Sequence, residues 1–172
     1  VTKDGAQVMA MTLDDWTVAD NVKINPGNYA QVAGMEKFLA GNFSGAIADL
    51  DRSLALDPRQ ISNYIMRGVA KSFLGRDADA EADFSQALAY DPKSAAAHTN
   101  RGASRQLSGN TTGALEDYDA AIEVTYGQAP RASLYRYFIL RRRGEAVPDL
   151  AAEVAKWDKG WGKTLGLFVT GQ

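Results

Sequence analysis

NYIMRGVAKSFLGRDADAEADFSQALAYDP, residues Asn63 to Pro92, decides the fold, because it returns on both sides of itself at a spacing of 34 residues. Laid over itself at that period, the chain stacks Gly34, Gly68 and Gly102 in one row and Gly41, Gly75 and Gly109 in a second. Ala46, Ala80 and Ala114 form a third row, and Asp49, Asp83 and Asp117 a fourth. Related residues fill the space between: Leu39, Phe73, Leu107; then Leu50, Phe84, Tyr118; then Leu54, Leu88, Ile122. Pro58 and Pro92 close two copies, and Tyr126 stands where a third proline is due.

Within each copy the apolar residues recur three and four apart, the spacing of one helix face. Val32, Met35 and Leu39, or Ile65, Val69 and Phe73, mark a first helix. Ile47, Leu50 and Leu54, or Leu115, Tyr118 and Ile122, mark a second. Each copy therefore predicts two helices and a short turn. The second glycine row suits the turn, since glycine accepts the left-handed backbone at a helix end. Asn42 and Asn110 follow it and can cap the next helix. The first glycine row and the Ala46 row are expected to face each other, where missing bulk lets two axes approach. Asp57-Pro58 and Asp91-Pro92 end the second helices, because proline disfavours helical geometry in the residue before it. The aspartate row, one residue per copy, predicts pairing with arginines such as Arg67 and Arg101.

These rows resemble the tetratricopeptide repeat, over about residues 28–126. The resemblance implies an all-α, right-handed superhelical array of three helical hairpins. Residues 1–27 are then an N-terminal extension, with Thr12 to Asp15 opening a capping helix that carries Trp16, Ala19 and Val22 on one side. Residues 127–172 read as a degenerate fourth hairpin and C-terminal cap, its repeat signature lost after Gly127 to Pro130. The closing run with Trp161, Leu165 and Phe168 is similar to the endings of some bacterial tetratricopeptide proteins.

Composition narrows the chemistry. The chain has no cysteine, so disulfides, thiolate nucleophiles and cysteine-bound zinc are excluded from it, and one histidine, His98, speaks against a histidine metal site. His98 has no acidic partner at ligand spacing and reads as a packing residue. No run of about 18 apolar residues offers a membrane span. A net charge of -2 speaks against a general nucleic-acid binder. Gly160 to Thr164 carries the end of a phosphate-binding loop, but Trp157 stands where the motif needs its first glycine, so no nucleotide site is expected. Arg141, Arg142 and Arg143, with Arg131 and Arg136, are the basic concentration; consecutive arginines spray around a helix and read as its solvated end. No nucleophile with an orienting base appears, so no catalytic residue, cofactor or metal is expected and the chain is read as a non-enzyme.

The resemblance implies a protein-binding adaptor or scaffold whose concave face is lined by the first helices. The matching residues are Gln31 and Met35, then Ile65, Met66, Val69 and Phe73, then Thr99, Asn100, Ala103 and Gln106. Relatives that grip a terminal carboxylate use lysine, asparagine and arginine at places where this chain has Gln31, Met35, Met66, Ala96 and Asn100, so the charge for that grip is absent. The partner expected is an apolar peptide segment or amphipathic helix, held with little salt dependence. The alternative is a homo-oligomer using the same apolar surface. The N-terminal segment is a third candidate to cover it. Val1 in place of an initiator methionine leans the reading towards an exported chain with its signal removed, with a cytoplasmic fragment as the alternative.

Overall fold

A computed structural model describes residues 26–147, 150–155 and 157, and its described residues are helical with no strand. The helices are α1 (Pro26–Leu39), α2 (Phe43–Leu56), α3 (Ile61–Phe73), α4 (Asp77–Tyr90), α5 (Ala95–Leu107), α6 (Thr111–Val124), α7 (Pro130–Arg143) and α8 (Leu150–Val154). They pair as α1 with α2, α3 with α4 and α5 with α6; each pair stacks on the next, and the first helices of neighbouring pairs also touch. The expected N-terminal capping helix, the Gly160 to Thr164 segment and the tail beyond it lie outside the described residues.

Local chemistry sets the breaks. Gly41 turns left-handed at φ 76°; its N–H donates to the Phe38 carbonyl while Asn42 N–H donates to that of Lys37, closing α1 in a Schellman turn. Asn42 Oδ1 then accepts from Gly45 N–H at 3.0 Å to start α2, and Asn110 does the same for Gly113 at the start of α6. At the other end of each pair, Asp57 and Asp91 take extended backbone. Their carboxylates accept from Arg59 and Lys93 N–H respectively, two residues on.

The first glycine row lies against the Ala46 row, a Cβ on Gly34 falling 3.4 Å from the Ala46 carbonyl and one on Gly102 3.2 Å from that of Ala114. It also faces the large residues of the second helix: a Cβ on Gly68 would lie 2.6 Å from Phe84 Cε1, and one on Gly102 would lie 2.7 Å from Tyr118 Cε1. The glycines make room for a Leu50, Phe84 or Tyr118 side chain, and those three are fully or almost fully buried. Ala46, Ala80 and Ala114 are buried beside them.

The fourth pair keeps part of the repeat register in its first helix, although Tyr137 and Ala152 stand where the Gly102 and Asp117 rows would continue. The loop between α6 and α7 is one residue longer than its predecessors, so the match resumes at a spacing of 35. Ala132 is buried like Ala97, Arg136 follows Arg101, and Gly144 turns left-handed like Gly109. Leu134, Leu150, Val154 and Trp157 form the closing cluster, with Trp157 Nε1 donating to the Gly127 carbonyl at 3.1 Å.

The aspartate row is satisfied as the spacing predicts, and further. Arg67 meets Asp83 and Arg101 meets Asp117, each across its own helix pair. A second cation row, Lys37, Lys71 and Arg105, reaches the same three carboxylates at 2.6, 2.8 and 2.9 Å. Each arginine also reaches back one copy: Arg67 to Asp51, Arg101 to Ser85, and Arg136 to Asp119.

Candidate functional site

On α1, α3 and α5 the usual sorting of residues by size is inverted. The faces these helices bury are small or polar: Ala30 and Gly34; Asn63, Gly68 and Ala70; Ala97, Thr99, Gly102 and Ser104. Several of their large apolar side chains stay outside. Leu39, Phe73 and Leu107 are 77%, 64% and 71% exposed, and they share one repeat row. The physical cause is the close approach described above. Large side chains from the second helices fill the interior, so the first helices contribute backbone and small residues to it.

That inversion assembles one face. Along each first helix the outward places recur at i, i+4, i+7 and i+11. In copy two they are Ser62, Met66, Val69 and Phe73; in copy three, Ala96, Asn100, Ala103 and Leu107. Hydrogen bonds stitch neighbouring first helices along this face. Gln31 Nε2 donates to Ser62 Oγ at 3.2 Å, the hydroxyls of Ser72 and Ser104 meet at 3.2 Å, and Arg131 donates to Asn100 Oδ1 at 2.6 Å.

The residues expected from the sequence fall into three groups. Met35 is exposed, and Met66, Val69 and Ala103 are half-buried in the shared face. Phe73 stands at its edge, stacked flat on Phe43 with ring centres 4.6 Å apart and edge-on to Phe38 at 6.2 Å. Gln31, Asn100 and Gln106 keep their place but already hold partners; Gln106 Oε1 accepts from the Tyr118 phenol at 3.0 Å. Burial above all, and Tyr135 beside it, push the Tyr118 phenol above its ordinary range, so it stays protonated and keeps donating. The third group turns inward. Thr99 is buried with its hydroxyl on the Ala95 carbonyl at 2.8 Å, and Ile65 packs on the Ala87, Leu88 and Ala97 cluster.

Sequence reasoning missed Val32, Leu39 and Leu107, whose spacing looked like core, and Tyr135 and Phe138 on α7, hidden by the one-residue shift. His98 is also corrected. Its Nδ1 lies 3.2 Å from Asp117 Oδ1 and its Nε2 2.9 Å from the Pro92 carbonyl, partners that the turn between α5 and α6 and the preceding loop bring to it. With Arg101 and Arg105 on the same carboxylate, His98 belongs to a structural polar cluster around Asp117.

Comparison with solved structures identifies the architecture as a tetratricopeptide-repeat fold. The first TPR of Spaghetti (RPAP3), bound to the HSP90 peptide SRMEEVD, aligns at a TM-score of 0.67 and 22% identity over 72% of this chain and 98% of its own. MamA aligns at 0.67 and 20% identity, over 86% of this chain and 81% of its own. The TPR2B domain of yeast Sti1, in its pHsp70 complex, aligns at 0.63 and 23% identity, over 69% and 98%. No family model and no curated protein matches the chain.

Proposed function

We propose that this chain is a non-catalytic adaptor that holds an apolar peptide segment or amphipathic helix of a partner protein along α1, α3 and α5. The observation that carries the reading is the inverted face: helices that bury alanine and glycine while presenting Met35, Leu39 and Leu107 to solvent leave an apolar surface that folding does not use. Such surfaces mark interaction sites. The methionines among them can repack around differently shaped side chains. Two of the proteins it resembles in fold are recorded with a chaperone or its peptide bound, which supports a peptide ligand.

Site-specific photocrosslinking tests this. A photoreactive residue at Val69 is expected to capture a discrete partner from the native cell, whereas one at Gln86, exposed on a second helix, is not. Equal capture at both positions would sink the reading. Crosslinks from Val69 only to another copy, with light scattering showing a stable homo-oligomer, would favour self-association on this face instead.

A further inference from the structure

One end of the shared face opens into a cavity of about 570 Å³, bounded by Gln106 of α5, Thr111 and Thr112 of α6, and Phe138, Arg142 and Arg143 of α7. No carboxylate is among the residues that line it. Arg143 is paired outside it with Glu145, but Arg142 has no acceptor among the described residues. Gln106 turns its amide oxygen to the Tyr118 phenol, which leaves its N–H groups free to donate. Thr111 and Thr112 stand in the first turn of a fourteen-residue helix, whose amino end carries partial positive charge. The charge that lines the cavity is therefore cationic, with Gln106 N–H groups and the Thr112 hydroxyl as neutral donors beside it.

The cavity also continues the apolar face. Arg131, Tyr135, Phe138 and Arg142 occupy the outward places of α7, so two aromatic rings lie between two arginines. Arg131 meets the neutral oxygen of Asn100 and, among the described residues, no carboxylate. A guanidinium without a counter-charge beside an apolar groove is complementary to a carboxylate carried on an apolar segment, and its planar donors can grip one at two points.

We infer that the cavity receives the side-chain carboxylate of an Asp or Glu in the bound segment, next to the apolar residues that lie on α1, α3 and α5. This rests on the groove reading and adds to it: the partner is an acidic-apolar segment, and the carboxylate is internal to it. Arg142 supplies the charge, Gln106 and Thr112 supply neutral donors, and Phe138 supports the adjoining apolar side chain.

Panning a random peptide library against the full chain, with each peptide tethered through its C-terminal end so that no terminal carboxylate is offered, should select sequences with Asp or Glu beside an apolar run. A selected peptide, made with an amidated end and followed by fluorescence anisotropy, should bind roughly tenfold or more weakly to Arg142→Glu. Arg142→Gln should fall between, as should the wild type with the peptide's acid changed to its amide. Val69→Glu should lose binding altogether. Selected peptides without an acidic residue, or binding indifferent to Arg142→Glu but abolished by Val69→Glu, would overturn the carboxylate site and leave the groove. Binding lost with Arg142→Glu yet untouched by Val69→Glu, or no peptide selected at all, would overturn the groove reading and this inference with it.

Discussion

Arg101 clasps Asp117 at two points, Nε 3.0 Å from Oδ2 and Nη2 2.7 Å from Oδ1, across the third helix pair. Arg105 Nη1 joins Oδ2 at 2.9 Å, and the carboxylate itself is almost fully buried. Removing the anion leaves Arg101, mostly buried, without a counter-charge, while Arg105 keeps Glu81 Oε1 at 2.7 Å. Asp117→Ala is therefore expected to cost on the order of 3 kcal/mol, the scale of breaking a buried pair. Asp49→Ala should cost about 1 kcal/mol or less, since Lys37 and Arg52 are about half exposed and water replaces their partner. Urea denaturation of the two variants measures the difference; equal losses would mean that the seam is not organised by burial.

Glycines of one row should respond differently to the same substitution. Alanine gains about 1 kcal/mol of helix propensity over glycine in a helix interior. At Gly102 the new Cβ would meet Tyr118 Cε1 at 2.7 Å and the Ala114 carbonyl at 3.2 Å, and a ring wedged against backbone gives way poorly. Overpacking of that kind costs about 1 to 3 kcal/mol, so Gly102→Ala is expected to be net destabilising. At Gly34 the neighbour is Leu50 Cγ at 3.0 Å, a flexible side chain, and Gly34→Ala should be near neutral. Thermal melts that rank them the other way would refute the steric account.

This contrast also marks what could be read from the sequence. Identical residues recurring at 34 reveal a helical array, because turn glycines, Asn caps and Asp-Pro stops each act locally. Which stripe of a first helix faces inward is not local. Val32, Met35 and Leu39 have the spacing of a core, and only the bulk of Leu50, Phe84 and Tyr118 arriving from the second helices sends the stripe outward. Likewise His98 and Asp117 are brought together by the hairpin. The fourth hairpin is legible as a degenerate one, but one inserted residue shifts its register, and only a spacing of 35 aligns Arg136 with Arg101 and Gly144 with Gly109.

A buried polar link at the first junction offers a cycle test. Ser53 Oγ donates to the Gly27 carbonyl at 2.7 Å and accepts from Asn63 Nδ2 at 2.9 Å, while Asn63 Oδ1 is buried without a partner among the described residues. At the next two junctions the matching pairs are Ala87 with Ala97 and Ala121 with Ala132, all fully buried. Ser53→Ala alone should cost about 1 to 2 kcal/mol by removing one of the two acceptors of Asn63 Nδ2, Gln60 Oε1 at 2.6 Å being the other, together with the hydroxyl donor to the Gly27 carbonyl. The double variant Ser53→Ala/Asn63→Ala should recover most of that or exceed the wild type, because the orphan oxygen leaves too. Strictly additive losses in the cycle would show that the two side chains are independent.

Tyr126 stands at the third proline place, yet its backbone is left-handed at φ 54° and its N–H donates to the Glu123 carbonyl at 3.0 Å. Proline can do neither. Repeat logic would put proline here, and the geometry reverses that advice: Tyr126→Pro should destabilise. Tyr126→Gly should raise stability by about 1 kcal/mol, since a non-glycine residue in this region costs roughly 1 to 2 kcal/mol and the ring, 91% exposed, gives little back. Melting temperatures that move opposite ways for the two variants would bear this out; a rise for proline would contradict it.

The exposed row separates what the fold needs from what a partner needs. Leu39 and Leu107 are more than two-thirds exposed, so Leu39→Ser and Leu107→Ser should each change stability by no more than about 0.5 kcal/mol, the range of ordinary surface substitutions. Phe73 differs, because its ring is stacked on Phe43 in an aromatic cluster with Phe38. Phe73→Ser should cost about 1 kcal/mol from the lost ring contacts, and more if Phe38 and Phe43 are then wetted. Three equal and large losses by urea denaturation would mean that the row is covered in solution, by the chain itself or by a second copy, and that it is not a free docking face. Losses that are small at both ends and moderate in the middle would leave Leu39 and Leu107 idle in folding, available to an apolar segment laid across all three repeats.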